Sequence, residues 1–169
     1  MFAVEKRSWS KRSSIGRKAK QPLPQAQQDD LLFMLEEEKL AGDLYQVFAD
    51  QTRLSVFSHI SSSEDRHYAA LLRYAETAGL PVDAITGLPA GEYVNPEIQA
   101  LYGTLLEQGS RSDVAALEVG ALVERTDIAD LQSALLGLTD TRLAGIYSRL
   151  LDGSNNHLDA FNHQIELMQ

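Results

Sequence analysis

The chain has 169 residues, 44% of them apolar, which suffices for one domain with a buried core, and it carries a formal charge of −9. It contains no cysteine, which excludes disulfides, thiolate metal sites and cysteine nucleophiles and leaves His, Asp and Glu as the strong ligands. No apolar run approaches the roughly 18 to 20 residues that span a bilayer, and nothing near the start resembles a secretory leader, so a soluble, cytoplasmic protein without membrane contact is expected.

Charge is divided unevenly. Residues 1–25 hold seven basic residues and one acid, while the remainder holds eight basic residues and 23 acids. The first segment is rich in Ser, Lys and Arg, lacks apolar periodicity and closes with Gln21-Pro22-Leu23-Pro24, so residues 1–28 read as a disordered basic tail ahead of a domain at 29–169. The tail also has the composition of a transit leader. The acidic body argues against nucleic acid, and any such contact is expected only through the tail.

From Asp29 onward the pattern is helical. Asp29 and Asp30 suit the start of a first helix over Leu31 to Asp50. Its inner stripe reads Leu31, Leu35, Glu38, Ala41, Tyr45, Phe48 or, one position round, Phe33, Glu37, Leu40, Leu44, Val47; either stripe carries a Glu. A tight connection leads to a second helix, capped by Ser55 and stopped by Gly79-Leu80-Pro81, so the two form an antiparallel hairpin. Residues 79–96 hold Pro81, Pro89 and Pro96 among Gly79, Gly87 and Gly91 and form the one long loop. If the whole is a bundle, this loop joins two helices that run the same way, as a long crossover does. A short helix from Glu97 to Glu107 follows, then a third long helix capped by Ser112-Asp113, running to about Leu136 with a break expected near Thr126. Asp140 or Thr139 opens a fourth, running toward Met168 with Gly145 and Gly153 as weak points.

Polar groups interrupt the apolar seams in a regular way. In the second helix the stripe Phe57, Ile60, Glu64, His67, Leu71 puts a carboxylate and an imidazole three residues apart on one apolar face. A carboxylate buried there needs a partner, a shifted pKa or a metal, and Glu-x-x-His is the ligand spacing of carboxylate metal sites in helical bundles. The third helix has Leu117, Ala121, Glu124, Ile128, Leu131, with Asp127 one turn on; the fourth has Leu143, Tyr147, Leu150, Ser154, His157, Phe161, where Ser154 stands in the place of a Glu. The separations Glu38 to His67 and Glu124 to His157 are close to equal, as a duplicated hairpin requires. Glu37-x-x-x-x-Gly42-Asp43-Leu44 against Glu124-x-x-x-x-Ala129-Asp130-Leu131 aligns on Glu37 instead of Glu38. Glu118, His59 and His163 fall off the seams.

Glu38-Lys39-Leu40-Ala41-Gly42-Asp43-Leu44-Tyr45 is similar to the first-helix signature of rubrerythrins and ferritins, and Glu64-x-x-His67 to their second-helix motif, which favours Glu38. With Asn95-Pro96-Glu97, the run Glu124 to Leu131 and Gly153-Ser154-Asn155-Asn156-His157-Leu158, residues 29–169 resemble an uncharacterised bacterial and archaeal family placed in the ferritin-like superfamily. The resemblance implies an all-α fold, a ferritin-like four-helix bundle with a long crossover carrying a short extra helix. It also implies a dinuclear iron or manganese centre acting on oxygen or peroxide. Carried onto this chain, the metal ligands are Glu38, Glu64, His67, Glu124 and His157, with Asp127 in place of the ligand that Ser154 cannot supply, and Tyr45 as a catalytic second-layer donor or radical quencher. Without cysteine there is no attached rubredoxin-type iron, so an electron donor from outside is expected, and a homodimer is one assembly open to it. The competing expectation is a helical scaffold or interaction protein with a degenerate metal site, its polar groups satisfied by one another.

Overall fold

The structure, a computed structural model, describes residues 22–169, and these are all-helical, with six helices and no strand. The first 21 residues, most of the basic segment, lie outside the described residues. Four helices are long: α1 (Gln25–Thr52), α2 (Ser55–Thr77), α5 (Asp113–Leu135) and α6 (Thr141–Leu167). Two short ones, α3 (Asp83–Thr86) and α4 (Pro96–Gly109), lie in the connection between α2 and α5. None of the described helices is long and apolar enough to cross a membrane.

Helix ends depart from the sequence reading in places. Helix α1 begins at Gln25, not after Asp29, because the Gln28 amide N–H and side chain reach back to the carbonyls of Pro24 (3.1 Å) and Leu23 (2.7 Å). Residues 25–28, assigned to the tail from composition, are therefore its first turn. Ser55 is the first residue of α2 and caps nothing; Leu54 holds the cap position with extended backbone. No break occurs at Thr126, whose hydroxyl donates back to the Leu122 carbonyl at 3.1 Å. The other signals hold. Gly79, at φ 76°, ends α2 with paired bonds from the Gly79 N–H to Glu76 and from the Leu80 N–H to Ala75. Asn95, Ser112 and Asp140 each accept backbone N–H groups at the starts of α4, α5 and α6.

The four long helices pack as two hairpins, α1 with α2 and α5 with α6, joined across α1–α5 and α2–α6. Phe57 near the start of α2 and Gly120 in the first half of α5 both meet Phe161 near the end of α6. At the opposite end, Leu71 and Tyr74 of α2 and Leu131 of α5 share a cluster with Leu143 and Tyr147. Helices α2 and α5 thus run in the same direction, and the segment 78–112 must cross the length of the molecule. Two apolar clusters result, one around Tyr45, Phe48, Phe57 and Phe161 and one around Leu31, Leu71, Leu131 and Tyr147. Buried Glu38, Glu64, Glu124, Ser154 and His157 lie in the same helices between the positions of these two clusters.

The crossing segment is tied to α1 by two acidic side chains and a lysine. Glu36 accepts the backbone N–H groups of Val94 (2.5 Å) and Asn95 (2.8 Å). Asp43 Oδ2 accepts from Lys39 Nζ, the Gly91 N–H and Tyr93 Oη at 2.8, 2.9 and 2.9 Å, while Lys39 Nζ also donates to the carbonyls of Pro89 and Glu92. Gly91 sits at φ 81°, where a side chain would be strained and would press on Tyr102. With the irregular segment 88–95 fixed this way, α4 packs on both α1 and α5.

Replacing Glu36 with Ala leaves two backbone donors without their acceptor, so Glu36→Ala is expected to lower the unfolding free energy by about 2 kcal/mol. Urea unfolding followed by circular dichroism measures this, and a loss below about 0.5 kcal/mol would show that the clamp contributes little.

Candidate metal centre

Each long helix sends one or two polar side chains into the middle of the core. On α1, Glu38 precedes Ala41 and Tyr45 by one and two turns on the buried stripe, and all three are buried. On α2, Glu64 and His67 stand three residues apart; on α5, Glu124 faces them; on α6, Ser154 and His157 repeat the spacing. His67 Nδ1 lies 2.8 Å from Glu64 Oε2 and 3.3 Å from Glu38 Oε2. His157 Nδ1 lies 2.7 Å from Glu64 Oε1 and 3.6 Å from Glu124 Oε2. Two groups of ligand atoms follow, Glu38–Glu64–His67 and Glu64–Glu124–His157, with Glu64 common to both and the atoms of each within 4.8 Å of one another. The two imidazoles are stacked with centroids 5.6 Å apart.

The surroundings hold this set in place. Tyr45 Oη donates to Glu124 Oε1 at 2.8 Å from a fully buried position. Ser154 Oγ donates to Asp127 Oδ2, so Asp127 lies beside the set, outside the two three-residue groups. Glu37 is half-buried on the flank of α1 toward Asp127 and Asp130, which leaves Glu38 as the α1 residue within reach of an imidazole. His59, His163 and Glu118 are exposed. The sequence reading missed Gly153, which it treated as a weak point of the last helix. A Cβ there would come within 2.7 Å of His67 Cε1 and Nε2, so the imidazole rests directly on the α6 backbone. A glycine inside a helix and next to a ligand-spaced pair was the available signal.

Burial sets the protonation states, and the groups divide. Burial raises Glu38 well above the ordinary carboxylate range, helped by the charges of Asp127 and Glu64. Burial also opposes ionisation of Glu64, but the imidazoles of His157 and His67 override it and hold Glu64 ionised to low pH. Glu124 is raised by burial and by Glu64, a rise that His157 limits. Asp127 is pushed up to about 6 by burial against the opposing bond from Ser154, and Glu37 to about 9 by burial and by Asp130 and Asp127. Burial works to lower His157, yet the carboxylates of Glu124 and Glu64 lift it to about 10. Burial and Glu124 keep Tyr45 neutral and a hydrogen-bond donor.

The set fits a divalent cation pair by its donors and by its loose ends. Carboxylate oxygens and imidazole nitrogens on four helices are the donors that iron, manganese or zinc accept. Buried Glu38 Oε1, Glu64 Oε1 and His157 Nδ1 have no hydrogen bond. The last two face each other at 2.7 Å as an ion pair, without the alignment of a hydrogen bond.

A family model described as an uncharacterized protein domain, DUF2202, matches residues 27–169. The chain belongs to this family. The DUF2202 region contains every residue of the Glu–His set. The chain is also similar to the uncharacterized protein MJ0754 of Methanocaldococcus jannaschii, with 37% identity over 142 residues, covering 84% of this chain and 76% of that protein. A crystal structure of the hypothetical protein MJ0754 from Methanococcus jannaschii matches with a TM-score of 0.82 and 34% identity, over 89% of this chain and 85% of that one.

The protonation pattern fixes the sign of a pH effect. Glu37, Asp127, Glu124 and His157 bind protons more tightly folded than unfolded, so their contributions are complete at low pH and are lost as pH rises through their folded values, about 6 for Asp127 to about 10 for His157. Glu64 acts oppositely, below the ordinary carboxylate pKa. In the presence of a chelator, the melting temperature is expected to be higher at about pH 5 than at about pH 9, and a flat or rising profile in differential scanning calorimetry would contradict these assignments.

Proposed function

We propose that the chain is a ferritin-like four-helix bundle carrying a dinuclear iron or manganese centre, and that it works as an oxidoreductase on dioxygen or peroxide. The observation that carries this reading is the pair of Glu–Glu–His groups sharing Glu64, in which the buried Glu38 Oε1 and Glu64 Oε1 make no hydrogen bond. In this reading Glu38 and His67 hold one ion, Glu124 and His157 the other, and Glu64 reaches both. Iron or manganese bound there supplies one-electron redox chemistry toward oxygen species, with reducing equivalents from an external donor. The chain's own part is to position and to exchange protons. Tyr45 fixes the rotamer of Glu124 through its hydroxyl, and Ser154 holds Asp127, whose charge is felt by Glu38, Glu64 and His67. Protons on Glu38 and His157 leave when cations bind, so uptake releases acid.

A non-catalytic scaffold with a degenerate site is the second reading. The Ser154–Asp127 hydrogen bond favours it, because it satisfies a hydroxyl where a bridging carboxylate would complete the set.

Titration of metal-free protein with Fe(II) or Mn(II), with elemental analysis, separates the two. Up to two ions per chain are expected, with release of protons into weak buffer. Glu64→Ala is expected to abolish uptake at both positions, Asp127→Ala to weaken uptake without abolishing it, and Ser154→Ala to change little. Uptake below about a tenth of an equivalent, with an unchanged melting temperature, would leave the scaffold reading standing.

A further inference from the structure

A cavity of about 250 Å³ opens onto the Glu–His layer between α1, α4 and α5. Its inner end is formed by Glu38, Glu64, Glu124 and Asp127. Its walls are largely apolar, with Leu40 and Ala41 from α1, Leu105 from α4 and Val123 from α5 beside the polar Glu37 and Thr126. At the rim stand Leu101 and Leu122, which are 38% and 44% exposed although large and apolar. Helix α4 belongs to the crossing segment, so the chain spends its longest connection, with the Glu36 and Asp43 ties, on building one side of this space.

Dioxygen, peroxide and aqueous ions need no approach of this size or polarity. The cavity exceeds the engineered apolar cavity of about 150 Å³ that stays dry and takes up benzene. Leucine and valine walls offer water few partners, whereas an apolar body gains from burial along them. A largely apolar pocket with convergent polar groups at its inner end is the form of a site for a small organic molecule.

We propose that this cavity is the substrate site of the centre and that it takes a small, uncharged, apolar organic molecule of about the size of toluene. The molecule enters between Leu101 and Leu122, rests against Leu40, Ala41, Leu105 and Val123, and turns one end to the Glu38–Glu64–Glu124 layer. Anions are excluded by the carboxylates at that end. The inference rests on the metal-centre reading, and its test separates the two.

Toluene is the probe, added to the full chain loaded with Mn(II) or, as a diamagnetic control, Zn(II), with metal content measured on the same samples. The expected result is saturable binding and faster relaxation of toluene protons in the Mn(II) form than in the Zn(II) form. Leu101→Trp, at an exposed position of α4, is expected to weaken binding at least about tenfold without changing metal content, and Ala41→Phe to do the same from the opposite wall. Absence of saturable binding to metal-loaded protein overturns the proposal while leaving the metal centre intact. Binding that neither variant weakens, or that shows no paramagnetic effect, locates toluene elsewhere and also overturns it. Toluene binding by a chain that takes up no metal overturns the cavity's role as a substrate site and, separately, the metal reading itself.

Discussion

The structure depends on one buried carboxylate held between two imidazoles. Glu64 is 2% exposed, with His67 at one oxygen and His157 at the other. An isolated carboxylate in such a place would lose several kcal/mol of hydration, and would take up a proton instead of keeping its charge. Here the two imidazoles invert that outcome, and the surrounding carboxylates take the protons in its place. Every long helix has to present a particular residue at one height for this to work, which fixes the rotation of α1, α2, α5 and α6 about their own axes. The apolar clusters above and below could tolerate rotation or exchange of leucines; the polar layer could not.

Close approach of the helices is needed to bring these short side chains together, and glycines supply it where rings must lie on backbone. Phe161 rests on Gly120 and Phe48 on Gly109, at positions where any Cβ would overlap the ring. Gly153 does the same for His67, within the polar layer itself. The helical weakness of glycine, about 1 kcal/mol relative to Ala, is the cost of this contact. The aromatic cluster of Tyr45, Phe48, Phe57 and Phe161, with ring centroids between 5.2 and 6.1 Å, then closes one end of the layer.

Much of this was legible in the sequence, because period 3.6 and the cap residues act locally. The seams of α2, α5 and α6 and the inward positions of Glu64, Glu124, Ser154 and His157 follow from spacing, whereas on α1 spacing left Glu37 and Glu38 both open and the family resemblance favoured Glu38. What spacing could not reach are contacts made across the chain. The start of α1 at Gln25 rests on side-chain bonds back to Leu23 that compensate for a missing cap. The burial of Glu36 depends on loop residues 58 and 59 positions away, whose N–H groups have no signature in the sequence. The packing of Gly153 under His67 depends on which helix lies opposite. The four-residue α3 is too short to show any periodicity.

The acidic run Glu36-Glu37-Glu38 illustrates how one local pattern is divided by rotation about the helix. Successive residues point about 100° apart, so three identical side chains meet three different environments. Glu36 turns to the crossing segment and accepts two of its backbone N–H groups. Glu37 turns toward α5, where burial, together with Asp130 and Asp127, raises it to about 9, so at neutral pH it is a neutral donor and not a charge. Glu38 turns inward to His67 and Glu64. A shift of the helix by one residue would bring Lys39 to the core position in one direction and Leu35 to the clamp position in the other, losing the polar layer or the hold on the crossing segment. The same three residues therefore set the register of α1 against every element it touches, with no contribution from conformational preference, since all three are equally good helix formers.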